Sequence, residues 1–310
     1  IVVPTGRVGV TSQQAVVDVG RGVRLCYEQF GDPDDPPIVL IAGLGQQLHS
    51  WPDGFVTGLA GRGYRVTRFD NRDAGRSTHM PYRPPHSLAI LRGGNHRDQY
   101  RLADMADDTA GLLDALGYRE AHLVGVSMGG MIAQTVAARH PGRVTTLTSI
   151  ISNTGARRIG RPAPSTWLRM ATARPPRSRD AAVEAAVKTF RHIGSHGFPF
   201  DETWVREKVG TDWDRDRHGS AGVARQLAGI FASGDRTAEL RGIDVPTLVI
   251  HGERDRMVHP TGGAATAEAI PGARLKTIAG MGHDLPAGAW ATLLDLITAH
   301  AVTDSRSTSE

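Results

Sequence analysis

The 310-residue chain carries a single cysteine, Cys26, and only three lysines, Lys188, Lys208 and Lys276. One thiol cannot close an internal disulfide, and it excludes a thiolate metal site and a paired-cysteine redox motif. That economy suits a reducing compartment, so a cytoplasmic location is expected. No apolar run approaches the roughly 18 residues a membrane span needs. The stretches Pro37–Gly43 and Val245–Gly252 are strand-length instead. Ile1–Val10 is too short, and too broken by Pro4, Gly6 and Arg7, to read as a signal peptide, although a chain that does not begin with Met leaves a lead segment open. Aromatic residues make up 5% of the chain and basic charge is spread along it, which gives nucleic-acid binding little support. There is no HExxH. Lys188-Thr189 lacks the glycine of a phosphate loop, and Gly20-x-Gly22 lacks the third glycine of a dinucleotide fingerprint. His192 and His196 have metal-like spacing, but Gly194 between them interrupts the helix that would align them. Neither metal nor cofactor is expected.

What is present is ordinary soluble composition, 40% apolar and 22% charged, in a chain long enough to bury a full core. Net charge is +4, almost wholly arginine. Ala15–Val19 and Val23–Phe30 flank Gly20-Arg21-Gly22 and read as a hairpin, closed by the turn cluster Asp32–Pro37. Strand-like runs at Ile38–Ile41, Tyr64–Phe69, Ala121–Val126 and Val144–Ile150 then alternate with helical spacing at Trp51–Leu59, Leu102–Leu116 and Met128–Arg139. The alternation resumes at Thr247–Ile250, Gly262–Ala269, Arg274–Ile278 and a last helix at Trp290–Ala299. Such alternation predicts a parallel sheet with helices on both faces.

Between these two blocks the pattern is helical only, with helices expected at Ala181–Ile193, Asp201–Val209 and Ala221–Ala232. The expected division is therefore a core of residues 1–152 and 238–302, a helical cap over 153–237, and a frayed tail over 303–310. The stretch Arg157–Arg179 holds seven arginines and no acid. It reads as a solvated hinge, with a positive lip that attracts anionic substrates as the sharper alternative.

The chemistry concentrates at Gly125-Val126-Ser127-Met128-Gly129. The pentapeptide alone is a weak signal; its place between a strand and a helix makes Ser127 a candidate nucleophile rather than a plain helix cap. The backbone of such a turn is strained and needs small neighbours, and the following helix aims its amides at developing negative charge. A serine hydroxyl needs a base. Of 13 histidines, His283 lies in the loop between the last strand and the last helix, beside Ser127 at the strand ends. His251 ends a strand and reads as a strand-end packing or loop residue. The base needs a carboxylate, and Asp255 sits in the loop after the penultimate strand. Glu253 lies too near the strand end, and Asp284 adjoins the histidine and cannot easily face its ring. Oxyanion donors are expected at the amides of Met128 and of Leu44, within Ala42-Gly43-Leu44-Gly45.

The order Ser127, Asp255, His283, together with Phe69–Ser77, Pro246–Ile250 and Gly280–Pro286, resembles the α/β-hydrolase superfamily over nearly the whole chain. Within it the sequence is similar to actinobacterial hydrolases of the aclacinomycin methylesterase type, a likeness shared by Gly197-Phe198-Pro199-Phe200-Asp201. The resemblance implies an eight-stranded, mostly parallel sheet with a helical cap inserted after the sixth strand, no cofactor, a Ser–Asp–His triad on the residues named, and a structural role for the Asp70–Ser77 turn. Many relatives have His-Gly where this chain has Ala42-Gly43, so a side-chain contribution there is missing. The expected activity is cleavage of a small-molecule carboxylic ester through an acyl-enzyme. Thioester, lactone and carbon–carbon hydrolysis, cofactor-free perhydrolysis and a non-catalytic receptor are the rivals. Substrate choice should reside in the cap and in the segment His79–Arg97. Trp167, Phe198 and Trp204 are pocket candidates weighed against simple cap packing, and Phe190, Phe200 and Phe231 are further ones. Oligomeric state is left open.

Overall fold

A computed structural model describes residues 13–84, 98–216 and 219–302. The expected tail at 303–310, the N-terminal segment Ile1–Val10 and most of the His79–Arg97 segment therefore lie outside the described residues. The strands are β1 (Ala15–Asp18), β2 (Arg24–Phe30), β3 (Pro37–Ile41), β4 (Arg65–Phe69), β5 (Ala121–Val126), β6 (Val144–Ile150), β7 (Thr247–Gly252) and β8 (Arg274–Ile278). They form one sheet in the order β1-β2-β4-β3-β5-β6-β7-β8. The β1–β2 hairpin joins β4 antiparallel, and every other pairing is parallel. Central strands β3, β5 and β7 are apolar and almost wholly buried, as strands covered on both faces must be.

Two apolar layers cover the faces. One packs α2 (Leu102–Ala115) and α3 (Met128–Arg139) on the sheet, through Leu112, Ile132 and Val136. The other packs α1 (Asp53–Ala60) and α10 (Trp290–Val302), through Trp51, Phe55, Leu59 and Leu293. Parallel strands place every β-to-α loop at one edge, so the loops after β3, β5, β7 and β8 converge there.

Between β6 and β7 run α4 (Pro164–Thr172), α5 (Arg179–Ile193), α6 (Glu202–Arg215), α7 (Gly219–Ser233) and the single turn α8 (Thr237–Leu240), and α9 (Thr261–Ala269) follows β7. α6 extends a turn and a half past the expected end at Val209. The Arg157–Arg179 stretch, expected as a hinge, contains α4, whose first residue Pro164 supplies a preset helical φ. No helix among the described residues is long and apolar enough to cross a membrane.

These helices are joined to the sheet by buried charge as well as apolar contact. The loop after β4 carries Asp70, Asn71, Arg72 and Asp73, all buried. Arg215 of α6 meets Asp70 at 2.9 Å, and Arg225 of α7 meets Asp73 at 2.6 Å. Arg72 pairs with Asp108 of α2 through both carboxylate oxygens. Removing one partner from such a pair strands the other charge in a poorly hydrated place. Asp73→Ala is therefore expected to cost about 3–5 kcal/mol. Asp73→Leu combined with Arg225→Met should recover much of that, as read from urea-unfolding midpoints.

Candidate active site

Ser127 joins β5 to α3 with φ 57° and ψ −118°, a conformation that non-glycine residues avoid. Its neighbours show why the chain accepts it. A Cβ at Gly125 would lie 2.1 Å from the carbonyl oxygen of Gly129, and one at Gly129 would lie 2.0 Å from that of Ile41. Only glycine lets α3 begin so close to the ends of β3 and β5. The turn is clamped by hydrogen bonds on both sides. The Ser127 amide donates to the Ile150 carbonyl at 2.9 Å, and its own carbonyl accepts from Ser152 Oγ at 2.8 Å.

The loop after β8 brings His283 Nε2 to 3.0 Å from Ser127 Oγ, and the loop after β7 brings Asp255 Oδ2 to 2.7 Å from His283 Nδ1. Asp255 Oδ1 accepts the amides of Met257 and Val258 at 2.8 and 2.9 Å. Burial by itself would raise the Asp255 carboxyl. The His283 charge and the hydrogen bonds from His251, His283 and Val258 outweigh it and hold the group at about 2. An ionised Asp255 can only accept, so Nδ1 of His283 is the protonated nitrogen. The Nε2 lone pair is then left facing the serine hydroxyl.

Sequence reasoning treated His251 as packing, and it is more than that. The ring is fully buried against Gly263; Nε2 donates to the Val258 carbonyl at 2.9 Å and lies 3.4 Å from Asp255 Oδ2. Asp255 thus sits between two imidazoles. The rejected acids are placed otherwise. Glu253 is exposed, and Asp284 turns away from the ring to accept a hydrogen bond from Ser195 Oγ.

Ser195 is a second residue that inspection of motifs passed over. Its hydroxyl also accepts the Gly282 amide at 2.9 Å, while the His283 amide donates to Ile193 O at 2.8 Å and Gly197 donates to Gly280 O at 2.9 Å. The segment after α5 thus clasps the histidine loop on both sides of His283. No sequence spacing signals this contact.

Leu44 lies in a β-turn closed by the Gln46 amide on the Gly43 carbonyl, with Gly45 at φ 67°. A Cβ at Gly43 would touch Ser127 Cβ at 3.4 Å, so the turn rests against the serine. Met128 is the first residue of α3, where amides have no intrahelical acceptor. Neither the Leu44 nor the Met128 amide donates to another group among the described residues. The turn is fixed from above by Gln226 of α7, whose side chain accepts the Gly45 amide at 2.8 Å and donates to Arg72 O at 2.8 Å. From below, Asn71 donates to Ala42 O at 3.1 Å.

The pocket candidates are not gathered in one place. Trp167 is 46% exposed on α4. Phe198 packs over Gly288 in the layer that holds Leu285 and Trp290, bracing the histidine loop, and Trp204 is half-buried near the start of α6. Among the described residues no three His, Cys, Asp or Glu side chains converge as metal ligands do, and His192 faces Thr166 Oγ1 at 3.0 Å. Burial raises the Cys26 thiol to about 11, which leaves it inert.

Comparison with known proteins agrees with this architecture. A family model described as the alpha/beta hydrolase fold matches residues 36–286. The chain is 32% identical over 304 residues to a rhodomycin D methylesterase of Streptomyces sp. strain C5, covering 90% of this chain and 95% of that one. A rhodomycin D methylesterase of Streptomyces peucetius is 31% identical, with 90% and 95% covered. Among solved structures, the enol-lactonase from Burkholderia xenovorans LB400 superposes with a TM-score of 0.70 at 24% identity, covering 94% of this chain and all of that one.

Two outcomes follow from the geometry. An unfolded aspartate titrates near 4, so lowering Asp255 to about 2 gives about 2 kcal/mol of folding stability at neutral pH. That increment is complete above pH ~4 and is lost as pH falls through ~2. Asp255→Asn should flatten this part of an acid-unfolding curve, read by circular dichroism. Ser195→Ala should leave the Gly282 amide and Asp284 short of a partner and cost about 1–3 kcal/mol. It should also broaden the downfield Nδ1 proton resonance of His283, and Ser195→Thr should restore it.

Proposed function

The chain belongs to the α/β-hydrolase fold family, and from that premise we propose that it hydrolyses carboxylic esters through an acyl-enzyme on Ser127. The observation that carries this reading is the pair of contacts made by one ring, His283 to Ser127 at 3.0 Å and to Asp255 at 2.7 Å. In the proposed cycle Ser127 Oγ attacks the ester carbonyl as His283 Nε2 takes its proton. Asp255 holds the imidazolium that results, and its depressed pKa keeps it charged while it does so. The oxyanion is received by the amides of Leu44 and Met128, worth on the order of 100- to 1,000-fold in rate for each donor. Collapse expels the alcohol, which takes the proton from Nε2. Water then repeats the attack with His283 as base, releasing the acid and returning the proton to Ser127.

Residues 153–237 are proposed as a cap over this site, on the core of residues 1–152 and 238–302. Gln226 and Ser195 make the cap part of the catalytic geometry, because one holds the Leu44 turn and the other the His283 loop. The relatives at 31–32% identity are methylesterases. The proposed substrate is accordingly an ester of a small alcohol on a larger acid. A panel of p-nitrophenyl and methyl esters, thioesters and lactones separates this from other acyl chemistry. Ser127→Ala and His283→Ala are each expected to reduce kcat by about 10⁴-fold or more. Full activity in either variant overturns the assignment, and faster turnover of thioester or lactone overturns the substrate class.

A further inference from the structure

Helix α4 is docked with its polarity reversed. On a helix of 3.6 residues per turn, Pro164, Trp167, Leu168, Met170 and Ala171 fall within an arc of about 160°. An apolar arc of that width normally faces the core. Here it faces outward: Trp167, Leu168 and Met170 are 46%, 66% and 45% exposed, and Thr166 on the other side is the one buried residue of the helix. Thr166 meets His192 of α5 by a hydrogen bond, so the polar side is the one attached to the protein.

The chain on either side of the helix carries one sign of charge. Arg157, Arg158, Arg161, Arg169, Arg174 and Arg177 are exposed and form no ion pair among the described residues; only Arg179 of this stretch does, with Asp214. No acid occurs from Arg157 to Arg179. The helix also sits at the rim of the candidate site. The Ala163 amide donates to the carbonyl of Arg256, the residue after Asp255, at 2.9 Å, and the Gly160 amide reaches Thr261 Oγ1 at 3.2 Å.

We propose that α4 is an interfacial helix that seats this face of the protein on an anionic lipid bilayer. Exposed Trp, Leu and Met enter the headgroup boundary while the unpaired arginines meet lipid phosphates. Net charge makes the choice of occupant: six exposed cations without an ion pair, on the apolar helix and the chain flanking it, fit an anionic surface better than a neutral one, and they oppose a second copy of the same face. The consequence for chemistry rests on the hydrolase reading. A rim held against a membrane takes its ester from the lipid phase, so the substrate class is a lipophilic ester partitioned there.

Sedimentation of the intact protein with sucrose-loaded vesicles tests this. Wild type should partition onto phosphatidylglycerol-containing vesicles at least tenfold better than onto pure phosphatidylcholine, with a blue shift in tryptophan emission, and high salt should abolish the difference. Leu168→Ser combined with Met170→Ser should lower partitioning at least fivefold on a fold unchanged by circular dichroism. Arg169→Gln, Arg174→Gln and Arg177→Gln together should remove the preference for anionic lipid. Ser127→Ala should bind as wild type does, so loss of the esterase assignment and loss of the docking assignment are read separately. Absence of binding, unimpaired binding by the Leu168/Met170 variant, or a dimer in solution that this variant dissociates each overturns the proposal. If docking holds, the same variant should slow hydrolysis of a vesicle-borne long-chain ester and spare a short water-soluble one; equal effects on both overturn the substrate class.

Discussion

The close approach of α3 to the ends of β3 and β5 is the constraint on which the rest of the site depends. With no side chain at Gly125 or Gly129, the helix starts against the carbonyls of the sheet, and the residue between them is forced to positive φ. Ser127 bears that strain, of order 1–3 kcal/mol, because hydrogen bonds to Ile150 and Ser152 over-determine its backbone. Its hydroxyl then stands at the sheet edge, where it meets His283 Nε2 at 3.0 Å. Everything else in the site is an arrangement of loops around a fixed point.

Those loops are held by contacts that cross the whole chain. The Leu44 turn is gripped by Gln226, the loop after β4 by Arg215 and Arg225, and the His283 loop by Ile193, Ser195 and Gly197. Each clamp comes from the helices and loops between β6 and β7. A shift in their position would move the Leu44 turn and the His283 loop together.

Much of this was legible because it is local. Strand–helix alternation has a period, turn residues have a composition, and the loops of a parallel sheet must share one edge, so the fold and the positions of Ser127, Asp255 and His283 could be read in advance. The roles left unread belong to residues with unremarkable neighbours. His251 looked like strand-end packing because nothing in its spacing reveals that its ring lies 3.4 Å from Asp255. Ser195 and Gln226 sit in ordinary helical or loop sequence, and their partners are 87 and 181 residues away. Arg157–Arg179 looked like a hinge because prolines and arginines outweigh nine residues of helical pattern, and which way that helix faces is not a property of its own sequence.

By itself, then, the sequence determined the architecture, the strained turn and the chain order of Ser127, Asp255 and His283. These follow from backbone stereochemistry and from burial patterns that repeat within a few residues. Tertiary structure alone decided the environment of Asp255, shared between two imidazoles and held at about 2. It also decided the clasp on the histidine loop and the outward face of α4. Such features arise when groups distant in sequence exclude water from one another, and hydrogen bonding and charge in that space depend on positions that only the folded chain defines.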